Sequence, residues 1–198
     1  CEVGVQHVHH HVRYAEAMAV MGRADAAFLG LLAICPILPE REVPRALPRQ
    51  ANAYSSSSDA AFMDRPAASR HFGWIRSGRV GLKGGWRVYS SGPGIYLNQL
   101  VSNVLGLRSH YDDRVFDPVL PVDADGLTFE VDEDGRHVRY LFHVTSIGVS
   151  PGEVRVNGRP LPGGRYAATP YRPGGFRVAK TAFSEALDRA DNLVEIFA

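Results

Sequence analysis

The sequence has little cysteine. Cys1 and Cys35 are its only two, so no disulfide framework and no CxxC pair can be built. That usage fits a reducing compartment, and a cytoplasmic location is the expectation. No apolar run approaches the length of a membrane span, and no secretory signal pattern is present. Charge of one sign is also missing: the formal net charge is +1, which gives no general pull towards nucleic acid or a membrane surface. HExxH, a second Cys/His pair and the P-loop Lys-Ser/Thr ending are all absent. There is no initiator methionine either. A lipid-anchored protein could open on cysteine but would carry a polar tether next, so a piece of a longer chain is expected.

What remains is an ordinary globular composition. Its 198 residues suffice for one large domain or two small ones. From Val12 to Met21 the sequence is apolar nearly all round, which predicts a helix buried on most sides. Gly22 should end it, and a second helix should run from Ala24 to Ile34 before Pro36 and Pro39. Pro36 to Ser58 reads as a long, proline-punctuated connection, the kind of segment that often carries function. Asp59 to Arg76 is weakly helical, with an interruption expected at Pro66. Leu97, Leu100, Val101, Val104 and Leu105 recur at helical spacing, so a helix is expected from about Pro93 to Leu105, closed by Gly106.

Beyond Arg108 the texture changes. LTFEVDEDGRHVRYLFHV alternates around Asp134-Gly135, and VRVNGRPL around Asn157-Gly158, two β-hairpin signatures. FRVAK and VEIFA should be strands, with a short helix between them. The expected division is 1–112, helical, and 113–198, a small antiparallel β domain.

Three constellations could carry chemistry. QHVHHHVRYAEAM packs four histidines at a helix start. His7, His10 and His11 share a helical face, and His7, His9 and His11 an extended one, so a metal is conceivable. Imidazole can equally hydrogen-bond an anion or a sugar hydroxyl. SSGPGIY reads as an N-cap glycine followed by proline in the first helical turn. Such a terminus offers unpaired N–H groups and the positive end of the helix dipole, and Ser90 and Ser91 add hydroxyls, so it can bind an anion. Asp59 and Asp64 could be a carboxylate pair, although solvated or capping roles are commoner for such residues.

The segments EVGVQHVHHHVRYAEAMAVMGRADAAFLGLLAICPI, PRQANAYSSSSDAAFMDR, GGWRVYSSGPGIYLNQLVSNVLGLR and DPVLP, in this order, resemble the inverting phosphorylases of glycoside hydrolase family 94. The middle two look more like the 1,2-β-oligoglucan branch, and the phosphorylase end of cyclic β-1,2-glucan synthases, than like cellobiose phosphorylase. The resemblance implies an α+β chain: the last helices of an (α/α)6 barrel, then a C-terminal antiparallel β-sandwich-like domain. It implies cleavage of a β-glucoside by inorganic phosphate, the co-substrate, to give α-glucose 1-phosphate, with no cofactor and no resident metal. His9 and the pair Ser91-Gly92 fall where the family holds phosphate. Glu2 falls on a sugar-site glutamate, although the Gly-Gly that follows it in the family is Gly4-Val5 here, and Tyr54 would line the same cleft. The family's general acid is an aspartate upstream of these segments, so none is expected in this chain, which alone should be inactive. Expected partners are a β-glucan oligosaccharide and phosphate, with a homodimer for the full-length protein and neither nucleic acid nor membrane. A non-catalytic carbohydrate-binding module, carried by the region from Arg114 onwards, is the reading from another class.

Overall fold

The computed structural model describes residues 8–35, 38, 44, 46–48, 59–84, 91–145, 149–167 and 169–198. They fall into two compact units, one within Cys1–Ala15 and Leu29–Asn98, the other within Glu16–Phe28 and Gln99–Ala198.

Glycine punctuation sets the first elements. Helix α1 (Val8–Val20) and helix α2 (Ala24–Ala33) are separated by Gly22, whose φ of 70° lies in the left-handed region. Arg23 N–H donates to Met18 O at 2.9 Å and Gly22 N–H to Ala19 O at 3.0 Å, the paired bonds of a Schellman stop. The burial of α1 differs from expectation. Val12, Ala15 and Ala19 are buried, whereas Tyr14 and Met21 are each 48% exposed. Positions i, i+3 and i+7 share one face, and that ridge is what packs, so apolar composition around the helix does not mean burial around it. Gly30 lets α2 approach closely: a Cβ there would lie 3.4 Å from the Tyr14 ring and 3.5 Å from Ala15.

Strands β1 (Ala46–Pro48) and β2 (Asp59–Ala60) flank β3 (Leu82–Gly84), β1 parallel to it and β2 antiparallel. Helix α3 (Arg65–His71) precedes β3. Asp64 caps it, its Oδ1 accepting from Ala67 N–H at 2.7 Å. Pro66 therefore does not interrupt a helix. It sits in the first turn, where a missing N–H costs no intrahelical bond.

Helix α4 (Ser91–Asn98) runs into a π-helical stretch, Gln99–Val104. Gly106 follows at φ 69°. A Cβ on Gly106 would collide with the carbonyl of Asp117 and the nitrogen of Pro118, and Asp117 N–H donates to Gly106 O at 2.9 Å. Gly106→Ala is therefore expected to destabilise by more than the roughly 1–2 kcal/mol of a left-handed residue. Thermal denaturation checks this, and an unchanged midpoint would mean that the two stretches part freely.

The β unit is mixed, which corrects the antiparallel expectation. One sheet has the order β10-β11-β5-β4, from β4 (Leu107–His110), β5 (Asp113–Phe116), β10 (Gly164–Tyr166) and β11 (Gly175–Ala179). The other has the order β6-β7-β12-β8-β9, from β6 (Thr128–Glu133), β7 (Arg136–His143), β8 (Glu153–Val156), β9 (Arg159–Pro160) and β12 (Asp191–Phe197). Helix α5 (Lys180–Ala186) links β11 towards β12. The last strand pairs parallel with β7, Val194 opposite Tyr140, and antiparallel with β8. The hairpin turns at Asp134-Gly135 and Asn157-Gly158 fall where expected, all four residues at positive φ. The four-stranded sheet already begins at Leu107, so the change expected at residue 112 lies in the turn of the β4–β5 hairpin.

Alternation supplies the core. Val138, Tyr140 and Phe142 of β7 and Val194 and Ile196 of β12 are wholly buried at every second position. Phe116 of the smaller sheet meets Tyr140 of the larger at 6.5 Å between ring centroids, and Phe183 of α5 at 5.5 Å.

Candidate functional site

Of the sequence-derived candidates, His9 is half-buried in the first turn of α1, and Ser91 and Gly92 open α4. All three belong to the first unit. Glu2 and Tyr54 lie outside the described residues, as does the side chain of Ser91.

The framework around these positions was not visible in the sequence. His11 Nε2 bonds Gly30 O at 2.7 Å, and its ring packs on Tyr14 at 5.7 Å. That bond ties the N-terminal half of α1 to the C-terminal half of α2. Just past the end of α2, Cys35 is hydrogen-bonded by the hydroxyl of Tyr96, which lies on α4. Burial first, then the Cys35 sulfur, pushes the Tyr96 hydroxyl well above its ordinary range, so it stays protonated as a structural tie. Helix α1, with His9 in its first turn, and helix α4, which opens with Ser91-Gly92, are thus both anchored at the same end of α2. Each N-terminal turn carries the positive end of its helix dipole. Such an end can hold an anion, with imidazole and hydroxyl as added donors.

The histidine cluster divides by role. His11 is a packing residue, and His10 is exposed. His7 lies outside the described residues. Among the described residues, no three His, Cys, Asp or Glu side chains gather as a metal ion would require. Asp64 is a helix cap, and the side chain of Asp59 is outside the description.

The second unit holds a buried ion cluster that the sequence reading missed. Asp117, the first residue of DPVLP, is wholly buried. Arg172 grips both of its carboxylate oxygens, Nη2 donating to Oδ2 at 2.6 Å and Nη1 to Oδ1, and Arg108 Nη2 also donates to Oδ2. The Arg172 side chain is only 5% exposed, and its stem lies against Gly22, where an added Cβ would be 3.3 Å from Arg172 Cδ. This cluster pins the turn after α1 to the start of the β unit. No local signal could reveal it, because Arg172 is 55 residues from its partner.

Residues 106–197 match the family model described as the glycoside phosphorylase C-terminal domain, which begins at the glycine that ends the π-helical stretch. The class is therefore that of the glycoside phosphorylases. Over 179 residues, 90% of this chain, the sequence is 45% identical to a 1,2-beta-oligoglucan phosphorylase of Listeria innocua serovar 6a. The chain belongs to the family of that relative, the glycoside phosphorylases. It spans 16% of the length of this relative. Among the described residues, no helix is long and apolar enough to cross a membrane.

Proposed function

We propose that this chain is part of an inverting β-glucoside phosphorylase acting on β-1,2-gluco-oligosaccharides. Its helical part before Gly106 would carry the last helices of an (α/α)6 barrel, and the β unit from Leu107 onwards the C-terminal β domain. The observation that carries this reading is the 45% identity to a 1,2-beta-oligoglucan phosphorylase.

In this reading phosphate sits between His9 and the Ser91-Gly92 helix start. An inverting hydrolase needs a carboxylate base to activate water. A phosphate dianion is already a nucleophile, so the enzyme has to hold it in line and disperse its charge. One phosphate oxygen attacks the anomeric carbon from the face opposite the departing sugar. The glycosidic C–O bond breaks, its oxygen takes a proton from an aspartic acid elsewhere in the protein, and α-glucose 1-phosphate leaves. Glu2 and Tyr54 would contact the glucosyl unit. The anchoring of α1 and α4 at one end of α2 supports the pairing of His9 with Ser91-Gly92.

Linkage is tested with disaccharides. The full-length protein, incubated with phosphate, is expected to release glucose 1-phosphate from sophorose and longer β-1,2-glucans. Release from cellobiose alone would move the assignment to the β-1,4 branch.

A further inference from the structure

The second unit contains a cleft of about 700 Å³ that the reading above does not use, within the size range of ligand pockets. It opens between the β6–β7 hairpin, the β4–β5 hairpin and α5. Its walls are apolar where Phe129, Phe183 and Leu187 line it. Its polar lining is of both signs, Arg114 and Lys180 with Asp132, Glu133 and Asp134, and Ser109 and Ser184 also line it.

Arg114 is the centre of the polar wall. Its Nη2 donates to Glu133 Oε1 at 2.7 Å and to Tyr140 Oη at 2.8 Å. The guanidinium lies over the rings of Phe116, Tyr140 and Phe183, 5.5 to 5.9 Å from their centroids. Its Nε is buried and has no hydrogen-bond partner among the described residues. Buried donors are rarely left so, because an unmade bond costs more than a made one returns. Tyr140 Oη also donates to Glu133 Oε1, and its burial keeps that hydroxyl protonated. The network is therefore fixed in geometry.

The balance of charge selects the ligand class. An anion would meet three carboxylates, and a cation would meet Arg114 and Lys180. A neutral molecule rich in hydroxyls can donate to the carboxylates and accept from the cations at once. The half-buried ring of Phe129, stacked on Tyr140 at 6.3 Å, offers an apolar face for a sugar's C–H face.

We infer that this cleft is a second carbohydrate site, taking one or more glucosyl units of a β-glucan away from the phosphorolytic centre. The class of ligand comes from the cleft; its identity as a β-1,2-glucan rests on the proposed function. Such a site would raise the local concentration of long chains without touching the reacting bond.

The test is calorimetric titration of a β-1,2-gluco-oligosaccharide into the full-length protein without phosphate. Two binding events are expected. The double variant Lys180→Ala/Asp134→Asn should weaken one of them about tenfold, the scale of losing hydrogen bonds to charged groups. Its thermal midpoint and its phosphorolysis of sophorose should not change. If that variant loses its fold, Ser109→Trp, which fills the cleft from an exposed strand position, must give the same loss. A single binding event that neither variant alters overturns the inference. Two events in a protein that releases no glucose 1-phosphate would support the cleft while sinking the phosphorylase reading.

Discussion

Replacing His9 with alanine in the full-length enzyme is expected to lower phosphorolysis by about 10²–10³-fold, the usual effect of removing one preorganised donor from a developing charge. Ser91→Ala should act in the same direction. If both residues hold phosphate as proposed, the loss should appear in the phosphate KM or in kcat, with sugar binding largely kept. His11→Ala provides the contrast. Its imidazole bonds Gly30 O inside the α1–α2 pair, so its removal should cost about 1 kcal/mol of stability and leave the phosphate KM nearly unchanged. Steady-state kinetics at varied phosphate, run beside thermal denaturation, separates the two. If His9→Ala left phosphorolysis intact, the phosphate assignment would be wrong.

Asp117→Ala is expected to be the most destabilising single change in the β unit. It leaves two guanidiniums facing each other, one of them with a side chain only 5% exposed. Breaking a buried pair by deleting one partner costs about 3–5 kcal/mol, because the remaining charge is stranded without water or counter-charge. Arg108, at 26% exposure, can turn outwards. Arg172 cannot do so easily, because its stem is packed against Gly22. Chemical denaturation of Asp117→Ala should therefore show a large loss, and Arg108→Ala a smaller one. Equal and small losses would mean that the cluster contributes little to holding the α1 turn on the β unit.

How much of this was legible depended on whether a signal was local. Gly22 and Gly106 end their helices because each must take a left-handed φ, and a glycine in the chain announces that. Asp134-Gly135 and Asn157-Gly158 announce hairpins for the same reason. The β4–β5 hairpin escaped notice because its turn puts Tyr111 at φ 53°, a residue with no turn signature. The parallel pairing of β7 with β12 has no local mark at all, since Asp191 meets His137 only through the folded chain. Pro66 misled because proline breaks a helix interior and begins a helix start, and the Asp64 cap decides which. In the candidate site, the helix start at Ser91-Gly92-Pro93 could be read from three adjacent residues. The ties from His11 to Gly30 and from Tyr96 to Cys35 join separate helices, and only the fold brings them together.

The most direct test of the central claim is a combined proton and phosphorus-31 NMR time course of the full-length protein with a β-1,2-gluco-oligosaccharide and inorganic phosphate. Phosphate is expected to be consumed as the α anomer of glucose 1-phosphate appears, one for each linkage lost. Free glucose released without phosphate uptake, or the β anomer as first product, would contradict it.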